Sequence, residues 1–141
     1  MRRAIIVVDH GSRQPEANRA LEKVAQLVRA RTAEPVYAAH MELAEPSIGQ
    51  AFDSAVAEGA DLVIVVPYFA SAGRHSREDI PRLCAEAAAR HPGVGWHCSA
   101  PVGLDSMMAD LVVRCVKKCE DNGYSCEGCH DRNVCRPPEH V

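Results

Sequence analysis

The sequence predicts an α/β fold, with an open parallel sheet of four strands and helices on both faces. Short runs rich in Val and Ile alternate with longer segments whose apolar residues recur at helical spacing, and this alternation repeats four times along the chain. Strands that alternate with helices form parallel sheets with right-handed crossovers. For four strands the result is a small, doubly wound sheet of the flavodoxin-like type.

The first strand and helix have the clearest patterns. Residues 3–8 form an uninterrupted apolar run that ends at Asp9-His10-Gly11-Ser12, as expected for a strand buried on both faces and followed by a polar loop. Pro15 opens a helix over residues 16–31, in which Leu21, Val24 and Val28 lie on one face. Pro35 ends this segment.

The remaining elements follow the same alternation. Residues 36–43, 62–66 and 94–99 are predicted strands, and the helices between and after them are predicted to start at residues 46, 75 and 105. Gly59 is expected just beyond the end of the second helix, and Pro81 in the first turn of the third. The last helix is predicted to reach residue 118.

Composition predicts one folded domain over residues 1–118 and a Cys-rich tail over residues 119–141, which has few apolar residues. The formal net charge is −3 and basic residues form no dense tract, so nucleic acid is not an expected partner. The longest apolar run near the start is too short for a membrane span or a secretory signal. We therefore expect a cytoplasmic protein that does not enter the membrane.

Candidate functional residues fall where the strands end. His10 follows the first strand, Glu42 lies near the end of the second, and His75 comes after the third. The carboxyl ends of parallel strands meet at one edge of the sheet, where open α/β proteins bind ligands. Two neutral imidazoles there can bind a divalent ion or accept protons near neutral pH.

Three arginines lie close in sequence to the two histidines. They are Arg13, Arg74 and Arg77, and in a chain with a net negative charge they suit an anionic ligand such as a polycarboxylate, although solvated surface charge is an equal alternative.

Three segments carry a family resemblance. They are Asp9-His10-Gly11-Ser12-Arg13, then Met41-Glu42-Leu43-Ala44-Glu45-Pro46-Ser47-Ile48, and Gly73-Arg74-His75-Ser76-Arg77-Glu78-Asp79-Ile80-Pro81. In this order and spacing they resemble the short sirohydrochlorin cobaltochelatases and ferrochelatases, the CbiX and SirB-like class II chelatases.

The resemblance implies insertion of Co²⁺, or of Fe²⁺ or Ni²⁺, into sirohydrochlorin or a related tetrapyrrole, in cobalamin or sirohaem biosynthesis. It implies a homodimer of half-units and no nucleotide hydrolysis, and the sequence contains no G-x-x-x-x-G-K-[ST] phosphate loop. It also implies that His10 and His75 are the metal-binding and catalytic pair, with Glu42 as a third metal ligand. The arginines would then bind the acidic side chains of the tetrapyrrole.

The tail carries a separate cysteine pattern. Cys119, Cys126, Cys129 and Cys135 could bind zinc or an iron–sulfur cluster, although their spacing matches no standard ferredoxin motif. The alternative is a tail whose thiols bind nothing.

Two other functions compete with a chelatase. The histidines and tail cysteines could store or deliver a metal without catalysis. A histidine phosphatase or phosphotransferase could use His10 as its nucleophile, but Asp9 occupies the position where the phosphatase R-H-G motif has arginine.

Overall fold

The computed structural model describes residues 1–124 and 139, with the backbone alone at His75 and Ser76. The chain divides into two compact units, Met1–Gly103 and Leu104–Val141. The predicted division after residue 118 was drawn from composition and stays a prediction.

The predicted fold class is confirmed. All strand pairs are parallel, and the strand order in the sheet is β2-β1-β3-β4. A single π-helical turn, His75–Asp79, precedes the third helix. The elements in chain order are β1 (Arg3–Asp9), α1 (Pro15–Arg29), β2 (Val36–His40), α2 (Ile48–Ala57), β3 (Leu62–Pro67), α3 (Ile80–Ala89), β4 (Gly95–Cys98) and α4 (Ser106–Asp121).

Alternating side chains of the strands form two apolar clusters, one on each face of the sheet. On one face, Val7 packs with Leu21 and Ala25 of α1. On the other, Ile6 and Val8 pack with α2 and α3, around the fully buried Phe52. Burial of each large apolar side chain contributes about 1.5–3 kcal/mol. Because β1 is covered on both faces, the residues that follow it extend from a rigid support.

The helix ends agree with the sequence pattern. Ser47 caps α2 by accepting a hydrogen bond from the Gln50 backbone N–H, and the Gln50 side chain accepts one from the Ser47 N–H. Gly59 follows the end of α2 with φ of +100°, as predicted for the residue after a helix. Pro81 lies in the first turn of α3, which is also as predicted.

Strand β2 is shorter than predicted, because it ends at His40 and not at residue 43. The His40 N–H donates to the Pro46 carbonyl, which turns the chain back towards α2. Leu43 has φ of +67°, a left-handed conformation that a strand cannot contain. The loop between β2 and α2 therefore folds back at the end of β2, next to the end of β1.

Two cysteines within the sheet and helices are close together. Cys84 of α3 is fully buried, and Cys98 at the end of β4 packs against the same core. Interaction with the Cys98 thiol, and burial, raise the pKa of Cys84 above its usual range. Cys84 therefore belongs to the core, and Cys98 packs against it. Within the described part of the chain, no helix is long and apolar enough to cross a membrane.

Candidate metal site at the carboxyl edge of the sheet

The ends of β1 and β2 bring the first two candidate residues together. The parallel ladder ends with the pair Asp9 and His40. Beyond it, the Met41 N–H donates to the Asp9 carbonyl, and the Glu42 N–H donates to the His10 carbonyl at 3.0 Å. A backbone hydrogen bond therefore holds His10 and Glu42 next to each other, independently of their side chains.

His10 and Glu42 also form a side-chain pair. His10 Nε2 lies 3.1 Å from Glu42 Oε1, and the two side chains are 38% and 54% exposed. The separation suits metal coordination, because two donors each about 2.1 Å from one ion lie about 3.0–3.4 Å apart in octahedral or tetrahedral geometry. The structure thus brings these two predicted residues together, and their role in a metal site stays a prediction.

The other ring nitrogen of His10 lies 3.2 Å from the Gly11 carbonyl oxygen. A neutral imidazole has one N–H, so it can donate to either Gly11 or Glu42 but not to both. When Nδ1–H donates to Gly11, the Nε2 lone pair faces the Glu42 carboxylate. A lone pair and a carboxylate at that distance repel each other unless a proton or a metal ion lies between them. The pair is therefore suited to holding a cation.

Gly11 allows the close approach of the two loops. Its φ is +92°, and a Cβ at this position would overlap the Glu42 carbonyl oxygen. Any other residue would move the Glu42 backbone away from His10. The glycine of the Asp9–Arg13 segment is thus required by the geometry of the site itself.

Leu43 follows Glu42 and is 52% exposed, in the left-handed conformation described above. Non-glycine residues in this region cost of order 1–3 kcal/mol and are concentrated at functional sites. Tyr68, the first residue after β3, is 43% exposed, and its N–H donates to the Val8 carbonyl. This edge of the sheet therefore presents exposed apolar groups as well as the His10–Glu42 pair.

His75 follows the third strand, and the structure places its backbone at the start of the π-helical turn. Its role depends on a side chain outside the described atoms and stays a prediction. Arg13, Arg74 and Arg77 are all exposed. Arg74 lies 3.5 Å from the Glu78 carboxylate, and the Arg77 N–H donates to the Gly73 carbonyl. Their predicted role in substrate binding stays a prediction.

Among the side chains that the structure describes, no group of three or more His, Cys, Asp or Glu residues could hold a metal ion. His10 and Glu42 are therefore two candidate metal ligands. The role of His75 as the third ligand stays a prediction. Cys119 lies in the last turn of α4, whereas Cys126, Cys129 and Cys135 lie outside the described residues.

The sequence did not predict the contact between Asp9 and His40. His40 Nδ1 lies 2.6 Å from Asp9 Oδ1, and His40 is the buried polar residue of the core, at 3% exposure. The hydrogen bond to Asp9 gives His40 a structural role in the core. The available signal was that Asp9 directly follows the first predicted strand and His40 lies near the end of the second.

The opposite edge of the sheet has an open cavity of about 430 Å³, lined by residues at or just before the starts of β1, β2 and β3 and by Ala55 of α2. Arg3 in its wall forms an ion pair with Glu34. No predicted site residue lines this cavity, and two of its charged groups, Arg3 and Glu34, partner each other. The chemistry of the carboxyl edge, and not the size of a cavity, identifies the candidate site.

Fold and site together define an α/β protein that presents an imidazole and a carboxylate side by side at the carboxyl edge of its sheet. The family model described as CbiX matches residues 4–119. The chain therefore belongs to the CbiX family, and the resemblance seen in the three sequence segments is confirmed.

Named relatives agree. The chain is 40% identical over 137 residues to "Sirohydrochlorin ferrochelatase, chloroplastic" of Arabidopsis thaliana. This match covers 94% of this chain and 61% of the relative. It is 43% identical over 81 residues to "Sirohydrochlorin cobaltochelatase" of Methanocaldococcus jannaschii, which covers 57% of each. The structure of SirB from Bacillus subtilis with Fe³⁺ superposes with a TM-score of 0.78 at 30% identity, covering 84% of this chain and 47% of that one. The chain thus spans roughly half to three fifths of the length of these proteins.

Proposed function

We propose that this protein is a sirohydrochlorin chelatase, which inserts Co²⁺, Fe²⁺ or Ni²⁺ into sirohydrochlorin or a closely related tetrapyrrole without nucleotide hydrolysis. The observation that carries the proposal is the His10–Glu42 pair, 3.1 Å apart at the carboxyl edge of the sheet in a member of the CbiX family. The relatives' names, which include both a ferrochelatase and a cobaltochelatase, support iron and cobalt as metal substrates.

The reaction makes demands that this pair can meet. The metal ion must lose bound water before it enters the macrocycle. The two pyrrole N–H protons of the macrocycle must then leave, so each turnover releases two protons. A neutral imidazole and a carboxylate can replace part of the hydration shell of the ion. After the ion is transferred, the same two groups can accept the protons.

His75 is proposed as the second histidine of the site, both as a metal ligand and as a catalytic group. It follows β3, which pairs directly with β1, so its segment leaves the sheet at the same edge as His10. Arg13, Arg74 and Arg77 are proposed to bind the carboxylates of the tetrapyrrole. Their exposure suits this role, because guanidinium groups must be accessible to bind a ligand's carboxylates.

We further propose that the active form is a homodimer in the cytoplasm. The chain matches 47% of the SirB structure, which suits the homodimer of half-units that the family resemblance implies, and a flat macrocycle needs walls on both sides. Helix α4 is suited to such contacts, because several of its apolar side chains are at least half exposed, namely Met107, Val112, Val113 and Val116. Sedimentation of a fully active monomer at assay concentrations would contradict the dimer.

The tail is proposed to bind zinc or an iron–sulfur cluster through Cys119, Cys126, Cys129 and Cys135. Cys119 is placed by the last turn of α4, which offers one fixed ligand at the start of the tail. The test is metal and sulfide analysis of anaerobically purified protein and of a C126S/C129S variant. The proposal expects metal loss in the variant with insertion retained, and metal-free wild-type protein would contradict it.

The central experiment is an anaerobic insertion assay with sirohydrochlorin and Co²⁺, Fe²⁺ and Ni²⁺ in parallel, followed by the change in the absorption spectrum of the macrocycle. A chelatase accelerates formation of the metallated product with at least one of the three ions. Binding of the ions without any acceleration would contradict the proposal and favour a metal-storage or delivery protein.

A further inference from the structure

A carboxyl group and an imidazole lie next to the proposed metal site, at the last pair of the β1–β2 ladder. Asp9 and His40 form the last pair of the β1–β2 ladder, and His40 Nδ1 is 2.6 Å from Asp9 Oδ1. The two side chains are 24% and 4% exposed. A short, charge-assisted hydrogen bond with this little solvent access holds its two groups in a narrow range of positions.

The pair is adjacent to both metal-binding candidates. Asp9 immediately precedes His10, and His40 precedes Glu42 by two residues. The backbone carbonyls of Asp9 and His10 accept hydrogen bonds from Met41 and Glu42, so the two chains continue side by side past the last pair. Any change in the separation of the strand ends is therefore transmitted to the side chains of the site.

The side chains of the site are only partly buried. His10 and Glu42 are 38% and 54% exposed, so packing around them does not fix their 3.1 Å separation. Exposed ligands of this kind depend on the elements that carry them and on polar groups behind them. The buried pair is such a group, since it ties together the two strand ends from which the ligands extend.

We propose that Asp9 and His40 are positioning residues of the chelatase site, which set the separation of the His10 and Glu42 donors without touching the metal or the macrocycle. This inference rests on the proposed function, because it assigns the pair to the reaction of that site. It makes a specific demand: the pair should affect metal affinity and turnover, with little effect on binding of the tetrapyrrole.

The chain contains a matched control. Asp53 of α2 and His91 after α3 form a second pair of the same length, 2.6 Å, on the outer surface of the two helices. None of the predicted site residues belongs to α2 or to the turn after α3. Changes at this second pair test whether loss of any Asp–His contact lowers activity through general loosening of the fold.

The variants separate loss of the bond from loss of the residue. His40→Leu and Asp9→Ala remove the hydrogen bond, whereas His40→Asn and Asp9→Asn keep a polar group that can form it. His91→Leu and Asp53→Ala are the controls. Each full-length protein is titrated anaerobically with Co²⁺ alone, followed by its visible absorption, and then assayed for kcat and for KM of both substrates. Circular dichroism confirms that each variant is folded at the assay temperature.

We expect His40→Leu and Asp9→Ala to weaken Co²⁺ binding and lower kcat by about 10–100-fold, the range seen when groups behind a metal ligand are removed. KM for sirohydrochlorin should stay within about twofold, and the Asn variants should recover most of the loss. If one of the two disruptive variants does not fold, the other gives the same test.

Wild-type Co²⁺ affinity and kcat in a folded His40→Leu or Asp9→Ala variant would overturn the inference, as would equal losses in the His91 and Asp53 controls. His10→Ala is measured alongside. If His10→Ala is also fully active, the proposed site is wrong. If it is inactive while the His40 and Asp9 variants are normal, only the positioning role fails.

Discussion

Two regions of this molecule use the same contacts for different purposes. At the carboxyl edge of the sheet, Asp9 pairs with His40, and Gly11 follows with a positive φ. On the outer surface of α2 and α3, Asp53 pairs with His91, and Gly93 follows with a similar φ. Both pairs are 2.6 Å long.

The surroundings distinguish the two regions. His40 is 4% exposed and Asp9 24%, whereas His91 is 20% and Asp53 51% exposed. Solvent screens the outer pair, and Arg90 also contacts Asp53 there. The inner pair has less such screening, so losing one partner leaves a buried or partly buried polar group without its hydrogen bond. Distance alone therefore does not measure the importance of a contact.

The largest expected difference between the two regions is in the effect of replacing Gly11 and Gly93 with alanine. Gly11→Ala places a methyl group on the Glu42 carbonyl oxygen, in addition to the strain of its positive φ. Gly93→Ala has the same kind of strain, but nothing lies within 4 Å of its added Cβ. We expect Gly11→Ala to cost about 4 kcal/mol of stability and abolish insertion, and Gly93→Ala about 1 kcal/mol with insertion retained.

Urea denaturation of the two variants measures the difference in stability. The insertion assay measures the difference in activity. Equal losses of stability at both glycines would show that the approach of Glu42 to Gly11 adds nothing beyond backbone strain.

The next largest expected difference is between the stability losses caused by replacing His40 and by replacing His91. His40→Leu leaves the Asp9 carboxylate without its partner, and we expect it to lower the free energy of unfolding by about 2–3 kcal/mol. His91→Leu removes a solvent-screened contact and should cost less than about 1 kcal/mol. Thermal and urea unfolding at neutral pH provide the comparison, and a larger loss at His91 would reverse our ranking of the two regions.

The smallest effect is a pH dependence of stability that arises from the outer pair. The hydrogen bond from His91, and then that from Arg90, lower the pKa of Asp53 below its ordinary value of 3.8. Its carboxylate therefore stabilises the folded state above pH 3.8, and this contribution disappears as the pH falls through the lowered pKa.

Asp53→Asn should thus be slightly less stable than wild type near neutral pH, by a few tenths of a kcal/mol after solvent screening. The gap should close in acid, as wild-type Asp53 takes up its proton. Unfolding free energies measured across the acid range test this, and a gap that widens as the pH falls would show that the sign is wrong.

Much of the fold followed from local patterns in the sequence. The continuous apolar run of β1 reflects burial on both faces of the sheet. The helical spacing in α1 reflects burial of one face of the helix, so the pattern of apolar residues alone identified both elements. Gly59 and Pro81 were placed correctly because their backbone restrictions act within a single turn. The grouping of His10 and Glu42 followed from the rule that parallel strands share an edge.

Other features depended on contacts between segments distant in sequence. The end of β2 at His40 is set by a hydrogen bond to Pro46 and by the conformation of Leu43, neither of which alternating hydrophobicity reveals. The Asp9–His40 pair depends on strand register, because a shift by one residue would turn one side chain to the other face. Such contacts require the assembled sheet.

The central claim is that the His10–Glu42 pair performs metal insertion at the carboxyl edge. The most direct measurement compares anaerobic insertion of Co²⁺ into sirohydrochlorin by wild type, His10→Ala and His91→Ala at equal folded concentrations. We predict that His10→Ala loses at least about 100-fold in rate, as expected for a group that transfers protons and binds the ion, while His91→Ala matches wild type. Wild-type rates in His10→Ala would contradict the account.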